Sequence, residues 1–223
     1  MNILVSSDLH FPIFFRDFYS SLNEINEKVD IIILCGDIID NKDHIYLKKL
    51  QYVLNQKFGN IKIFATFGNN EASFFPEGEK DKNFYRKEYP SIIWLDYEYY
   101  NIGDYYLLGF EGFTDRTWKM VNIENLKKVY LNKLEEIIKK LDKKIILFSH
   151  YGLTKETVFG DPAPIWSLYS KDIEELIKKY SDKILIGFHG HAHHSLNYKT
   201  KINNTEIYNV AFPIHKKPLI FKI

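Results

Sequence analysis

At 223 residues, with 45% apolar and 26% charged residues, the chain has the size and composition of a single globular domain, which excludes disordered and fibrous classes. Thirty Lys and Arg stand against 29 Asp and Glu, so no overall charge draws the protein to nucleic acid or to an anionic lipid surface. The lone cysteine, Cys35, rules out an internal disulfide and fits a reducing, cytoplasmic setting. The first residues lack a basic stretch followed by a long apolar one, so neither secretion nor membrane insertion is expected. Only three of the cations are arginines, Arg16, Arg86 and Arg116, and guanidinium is the group best shaped for bidentate phosphate contact.

In chain order, short apolar runs alternate with segments of helical period, the pattern of a layered α/β domain. Residues 3–6 read as a strand. A helical stripe of Phe18, Leu22, Ile25 and Val29 follows. Residues 31–35 form a second strand, and Leu47, Leu50, Leu54 and Phe58 mark a second helix. After a strand at 61–67, residues 70–104 show no clear period and read as loops or short irregular elements. A strand at 105–109 precedes the longest helix, about 122–141, whose apolar stripe runs from Ile123 through Leu126, Tyr130, Leu134 and Ile137 to Leu141. A strand at 145–149 leads to a second aperiodic stretch, 151–171. The next helix is expected to start near Asp172, whose spacing to Glu175 resembles a capping box. A strand at 184–188 follows, and the tail reads as two strands, 206–212 and 218–223, joined across 215–218 at a sheet edge.

The chemistry sits where these strands end. Asp8-Leu9-His10 follows the first strand and Gly36-Asp37-Ile38-Ile39-Asp40 the second. Gly68-Asn69-Asn70-Glu71 follows the third, Ser149-His150 the strand after the long helix, and His189-Gly190-His191-Ala192-His193-His194 the next. In open α/β sheets the ligand site lies beyond the carboxyl ends of the strands, so these distant segments are expected to converge. Carboxylate, amide and imidazole donors without thiolate suit divalent ions such as Mn, Fe or Zn in an open site.

The ordered set D-x-H, G-D-x-x-D, G-N-x-E, S-H and G-H-x-H, spanning residues 8 to 193, resembles the signature of the calcineurin-like metallophosphoesterases. The resemblance implies one domain over residues 1–223, a layered α/β/β/α sandwich of two mixed β-sheets flanked by helices. It implies two divalent metal ions per chain (Mn, Fe, Zn, Ni or Mg), with Asp8, His10 and His193 on one, Asn69, His150 and His191 on the other, and Asp37 bridging them. Ions about 3.5–4 Å apart can share a hydroxide and clamp a phosphoryl group for in-line attack, so the implied activity is hydrolysis of a phosphoester, a diester in the first instance. The family often carries His in the third place of G-N-H-E, where it serves the leaving group. Here that place is Asn70, which donates hydrogen bonds but supplies no proton, and His10 becomes the substitute acid to consider.

Asp40 and Glu71 are expected to orient ligands rather than to be ligands. Arg16, Arg116 and His189 are candidates for substrate contact, each against an alternative as an ordinary solvated or hydrogen-bonded residue. Phe11, Phe14, Phe15, Phe74 and Phe75 suit either a pocket for a base or aryl group or plain packing, and 159–166 either a lid or a rigid loop. His44 and His215 have no motif around them. The expected partner is a small phosphoester and no membrane is involved. A fold used only as a scaffold for protein contacts and a nuclease acting on short oligonucleotides are the competing readings; the intact donor set speaks against the first and the balanced charge against the second.

Overall fold

The computed structural model describes residues 1–72, 78–115 and 123–223. Eleven strands occur among them: β1 (Asn2–Ser6), β2 (Ile31–Cys35), β3 (Lys62–Thr66), β4 (Ile92–Trp94), β5 (Glu98–Ile102), β6 (Tyr105–Phe110), β7 (Lys144–Ser149), β8 (Ile184–His189), β9 (Lys199–Ile202), β10 (Thr205–Asn209) and β11 (Leu219–Lys222). The helices are α1 (Phe15–Asn23), α2 (Ile45–Phe58), α3 (Gly78–Glu88), α4 (Ile123–Lys140), α5 (Lys171–Lys179) and α6 (Phe212–His215).

The strands form two sheets, in the orders β11-β1-β2-β3-β4 and β5-β6-β7-β8-β10-β9. Both are parallel in their interiors; the second is closed at both edges by antiparallel strands, β5 against β6 and β9 against β10, and the first at one edge, β11 against β1, its other edge strand β4 running parallel to β3. Because successive side chains of a strand point to opposite faces, the continuous apolar runs serve two layers at once. Ile3, Val5, Ile31 and Ile33 pack with Ile146, Phe148, Ile186 and Phe188 between the sheets. Leu4, Ile32 and Leu34 face a layer holding Phe18, Leu47 and Leu50 of α1 and α2, while Ile145 and Leu147 face Leu134, Ile138, Ile173 and Ile177 of α4 and α5. The result is the α/β/β/α sandwich. At the carboxyl edge the sheets are stitched together: Ser7 N–H donates to the Val210 carbonyl at 3.2 Å, and Phe212 N–H to the Ser7 carbonyl at 2.8 Å. Among the described residues, no helix is long and apolar enough to cross a membrane.

Several local expectations need correction. Residues 70–104 hold α3, β4 and β5. The buried side of α3 is Lys82, Tyr85 and Tyr89, near its C-terminal end and beyond, so its helical period is written in polar and amphipathic residues that an apolar count misses. The tail does not form one edge. After β10 the chain turns into α6, with proline in its first turn where the missing N–H costs nothing, and β11 then crosses to the other sheet to pair with β1. α1 stops at Asn23, short of Ile25 and Val29. α5 begins at Lys171 with Ser170 at its N-cap and no side-chain capping bond, so Asp172 lies in the first turn and the capping box does not form. Segment 151–171 contains two short 3₁₀ turns, Glu156–Val158 and Ile165–Ser167. The start of the long helix near residue 122, together with Phe74 and Phe75, lies outside the described residues.

Candidate metal centre

The first three strand-end segments descend from β1, β2 and β3 of one sheet, and the remaining two from β7 and β8 of the other. The seam between the sheets therefore brings Asp8, His10, Asp37, Asn69, His150, His191 and His193 together. Reaching this seam requires a sharp change of direction just past each strand. Asp8, His10, Asp37 and His191 accordingly adopt φ of 55°, 41°, 46° and 66°, a left-handed conformation uncommon for residues other than glycine and typical of functional sites.

Two glycines leave room for the carboxylates. A Cβ on Gly68 would stand 2.2 Å from Asp37 Oδ1, and one on Gly190 would stand 2.1 Å from Asp8 Oδ2. Both distances are far inside van der Waals contact.

The side chains divide into two groups around Asp37. On one side His193 Nε2 lies 3.0 Å from Asp8 Oδ1 and 3.3 Å from His10 Nε2. On the other, His150 Nε2 lies 3.0 Å from Asn69 Oδ1 and 3.1 Å from His191 Nδ1. Asp37 Oδ2 stands between them, 3.8 Å from His10 Nε2 and 3.6 Å from His150 Nε2. Asp8, His10 and His193 form one set able to hold a metal ion, and Asp8, Asp37 and His150 another.

Hydrogen bonding among these groups does not account for the arrangement. An imidazole nitrogen carries at most one proton, yet His150 Nε2 faces three acceptor-bearing atoms. Its Nδ1 is directed at the Cys35 carbonyl at 3.2 Å, and His191 Nε2 at the Ser167 carbonyl at 3.1 Å. If those outer nitrogens carry the protons, the inner ones present lone pairs to a common point, as metal-binding imidazoles do. The donor set fits divalent cations.

Electrostatics agree. Burial alone would raise the Asp8 carboxyl, but the His193 hydrogen bond and the surrounding imidazoles hold it well below the usual carboxylate range. Burial pushes His191 down to about 3, leaving it neutral and able to ligate near pH 7. Burial draws His193 down, but the Asp8 hydrogen bond and the charges of Asp8, Asp37 and Asp161 together leave it above its ordinary value.

The supporting residues are equally specific. Glu71 is fully buried, and its carboxylate accepts from the backbone N–H groups of Ile38 and Ile39 on Oε1, at 2.7 and 3.1 Å, and of Asp37 and Gly68 on Oε2, at 2.9 and 2.8 Å. It thus ties the Asp37 loop to the Asn69 loop. Asp40 Oδ1 lies 3.6 Å from His10 Nδ1, too long for a hydrogen bond but close enough to bias the ring electrostatically. Asn70 donates its backbone N–H to Asp37 Oδ1 at 2.8 Å and its side-chain amide to Asp37 Oδ2 at 2.7 Å, so its amide clamps the central carboxylate.

His189 does not match the expectation of a substrate contact. It is fully buried, Nε2 meets Thr157 Oγ1 at 2.6 Å, and Nδ1 meets the Gly190 carbonyl at 2.9 Å, which leaves neither nitrogen for a ligand. Arg16 is exposed in the first turn of α1, and Arg116 lies outside the described residues. Phe11 is core, with Phe14 and Phe15 packed against it. The 159–166 segment is pinned by Asp161, which accepts from His194 N–H and Ala163 N–H, both at 2.9 Å. Sequence reasoning missed the Cys35 carbonyl and the Ser167 carbonyl as orienting groups, since any residue can supply a carbonyl.

Fold and donor set together define a class: a two-sheet α/β sandwich with an Asp/His cluster able to hold metal ions at the carboxyl edge of both sheets. The model of the calcineurin-like phosphoesterases matches residues 1–195, and the chain belongs to that family. No curated protein matches it. Among solved structures it is similar to the phosphopantetheinyl hydrolase of Mycobacterium tuberculosis, with a TM-score of 0.69 and 11% identity over 94% of this chain and 88% of that one. A protein of Thermus thermophilus gives 0.57 and 12% over 99% and 98%. The 5'-nucleotidase of Candida albicans gives 0.53 and 13% over 93% of this chain and 44% of that one. At such identities these likenesses establish the fold alone.

Proposed function

We propose that the chain is a metal-dependent phosphoester hydrolase, with Asp8, His10 and His193 holding one divalent ion, Asn69, His150 and His191 a second, and Asp37 bridging the two. The observation that carries this reading is the position of Asp37 Oδ2, within 4 Å of His10 Nε2 on one side and His150 Nε2 on the other. When bound, such ions supply Lewis acidity, neutralising charge on phosphoryl oxygens and making water nucleophilic near neutral pH.

The chain's own residues do the remaining work. Glu71 fixes the backbone of the Asp37 loop, and Asn70 holds the Asp37 carboxylate in a single orientation. The Cys35 and Ser167 carbonyls turn His150 and His191 inward. Asn70 has no proton to give. His10, with Nε2 turned into the cluster, retains only Nδ1 beside Asp40 and is poorly placed to protonate a departing oxygen. Phosphodiesters with weakly basic leaving groups are therefore the substrate class favoured here.

The test is chelator-stripped protein reloaded separately with Mn, Ni, Mg, Fe or Zn and offered aryl and alkyl phosphodiesters, phosphomonoesters and short oligonucleotides. Two ions per chain and aryl-diester hydrolysis are expected, with both abolished or sharply reduced in a folded Asp37→Asn variant. No metal uptake, or full activity in that variant, overturns the reading.

A further inference from the structure

Beside the Asp/His cluster lies a second group of charges removed from water. The side chains of Lys82, Asp96 and Glu111 are 3%, 7% and 1% exposed, and Lys82 Nζ is 2.8 Å from both Asp96 Oδ2 and Glu111 Oε2. The other oxygen of Asp96 accepts the Glu111 N–H at 3.0 Å. Lys82 belongs to α3 on the outside of the first sheet, Asp96 to the crossing from β4 to β5 between the sheets, and Glu111 to the end of β6 in the second sheet. Three layers are thus joined at one point.

Burying three charges is a poor route to stability. Well-packed apolar residues of similar volume commonly do as well or better. What the triad does distinctively is immobilise the backbone at Glu111, through the side chain on Lys82 and through the N–H on Asp96. The carbonyl of that residue accepts the N–H groups of both His150 and Tyr151, at 3.1 and 3.2 Å. β6 and β7 run parallel, with Phe110 paired to Ser149, so these two bonds carry their register one step beyond the strands, to the residue whose imidazole enters the cluster.

We propose that the Lys82–Asp96–Glu111 triad is a positioning device for His150, fixing the carbonyl that sets where the His150 ring enters the metal centre. The proposal rests on the two-ion reading above and adds an asymmetry to it. Groups that orient a ligand typically change metal affinity by about 10- to 100-fold. The ion on the His150 side depends on this strand end directly, whereas the Asp8–His10–His193 side hangs on β1 and β8 and meets it only through the Gly190 N–H, which donates to the His150 carbonyl at 3.0 Å.

The experiment uses the full chain, stripped by chelator and titrated with Mn²⁺ alone, in wild type, Glu111→Gln, and the charge-free triple variant Lys82→Met/Asp96→Asn/Glu111→Gln. Folding is checked by circular dichroism and thermal melting. Amide hydrogen exchange at His150 and Tyr151 is followed by NMR without metal. Expected are a loss of about tenfold or more in the affinity of one ion, a change within about twofold for the other, and exchange at the two amides at least about tenfold faster while amides within β1 and β2 are unchanged. The triple variant guards against misfolding, because it leaves no unpaired buried charge. Unchanged affinities with unchanged exchange, or equal weakening of both ions in a folded variant, overturns the proposal. If wild type takes up no Mn²⁺, the two-ion reading fails on its own, and the exchange rates at His150 and Tyr151 still decide whether the triad holds that strand end.

Discussion

Glu71→Gln changes one atom of a side chain and separates two accounts of the Asp37 loop. Four backbone N–H groups, two on each oxygen, converge on this fully buried carboxylate. Only the ionised form offers acceptors to all four. Burial and the neighbouring Asp37 charge push the carboxyl up to about 8, opposed by those same donors. In the glutamine, whichever way the amide is turned, one oxygen becomes an NH₂ that faces two N–H donors. At about 1–3 kcal/mol per buried group left unpaired, the cost is roughly 2–6 kcal/mol. Urea denaturation of metal-free wild type and variant at pH 9, above the raised carboxyl, measures it, and metal content after reconstitution reports whether the Asp37 loop has moved. A loss below about 1 kcal/mol with undiminished metal retention would refute the argument. The folded protein would then hold Glu71 protonated, since a carboxylic acid, like the amide, turns a donor toward two of those N–H groups.

Three further outcomes follow from the site. Gly68→Ala places a methyl 2.2 Å from Asp37 Oδ1, which must retreat by about 1 Å; a displacement of that size commonly costs around 10²-fold in activity, and a variant with wild-type turnover and metal content would show that the close approach has no function. Asn70→His should raise hydrolysis of alkyl diesters more than aryl ones, because positioned acid catalysis is worth about 10² to 10⁴; an identical dependence on leaving-group pKa in both proteins would show that this position does not serve the leaving group. In chelator-stripped protein, burial holds His189 at about 4 against an ordinary 6.5, so between those values the unfolded chain binds a proton that the folded one refuses. Stability should therefore fall as pH drops from about 6.5 to 4, by ~3 kcal/mol from this residue at 1.36 kcal/mol per pKa unit. Denaturation midpoints across that range test it, and an equal slope in His189→Gln would assign the effect elsewhere.

The sequence by itself determined the layered class and the placing of the site. Runs such as Ile31–Cys35 are apolar on both faces because each such strand must fill two layers, and that requirement is local enough to read from one segment. The five strand-end motifs were legible for the same reason: donor residues placed just past buried strands have few other uses. What only the tertiary structure decided depends on partners far away in the chain. β11 left the edge proposed for it because its apolar residues pair with β1, more than 200 positions earlier, and strand pairing leaves no mark in either segment alone. α3 was invisible because its buried face includes Lys82, whose burial is tolerable only beside Asp96 and Glu111. His189 looked like its neighbours in the histidine-rich turn until Thr157 Oγ1 and the Gly190 carbonyl were seen to occupy both nitrogens. The orientation of His150 and His191 rests on the carbonyls of Cys35 and Ser167, and since every residue carries a carbonyl, only the folded chain shows which ones are aimed at the site.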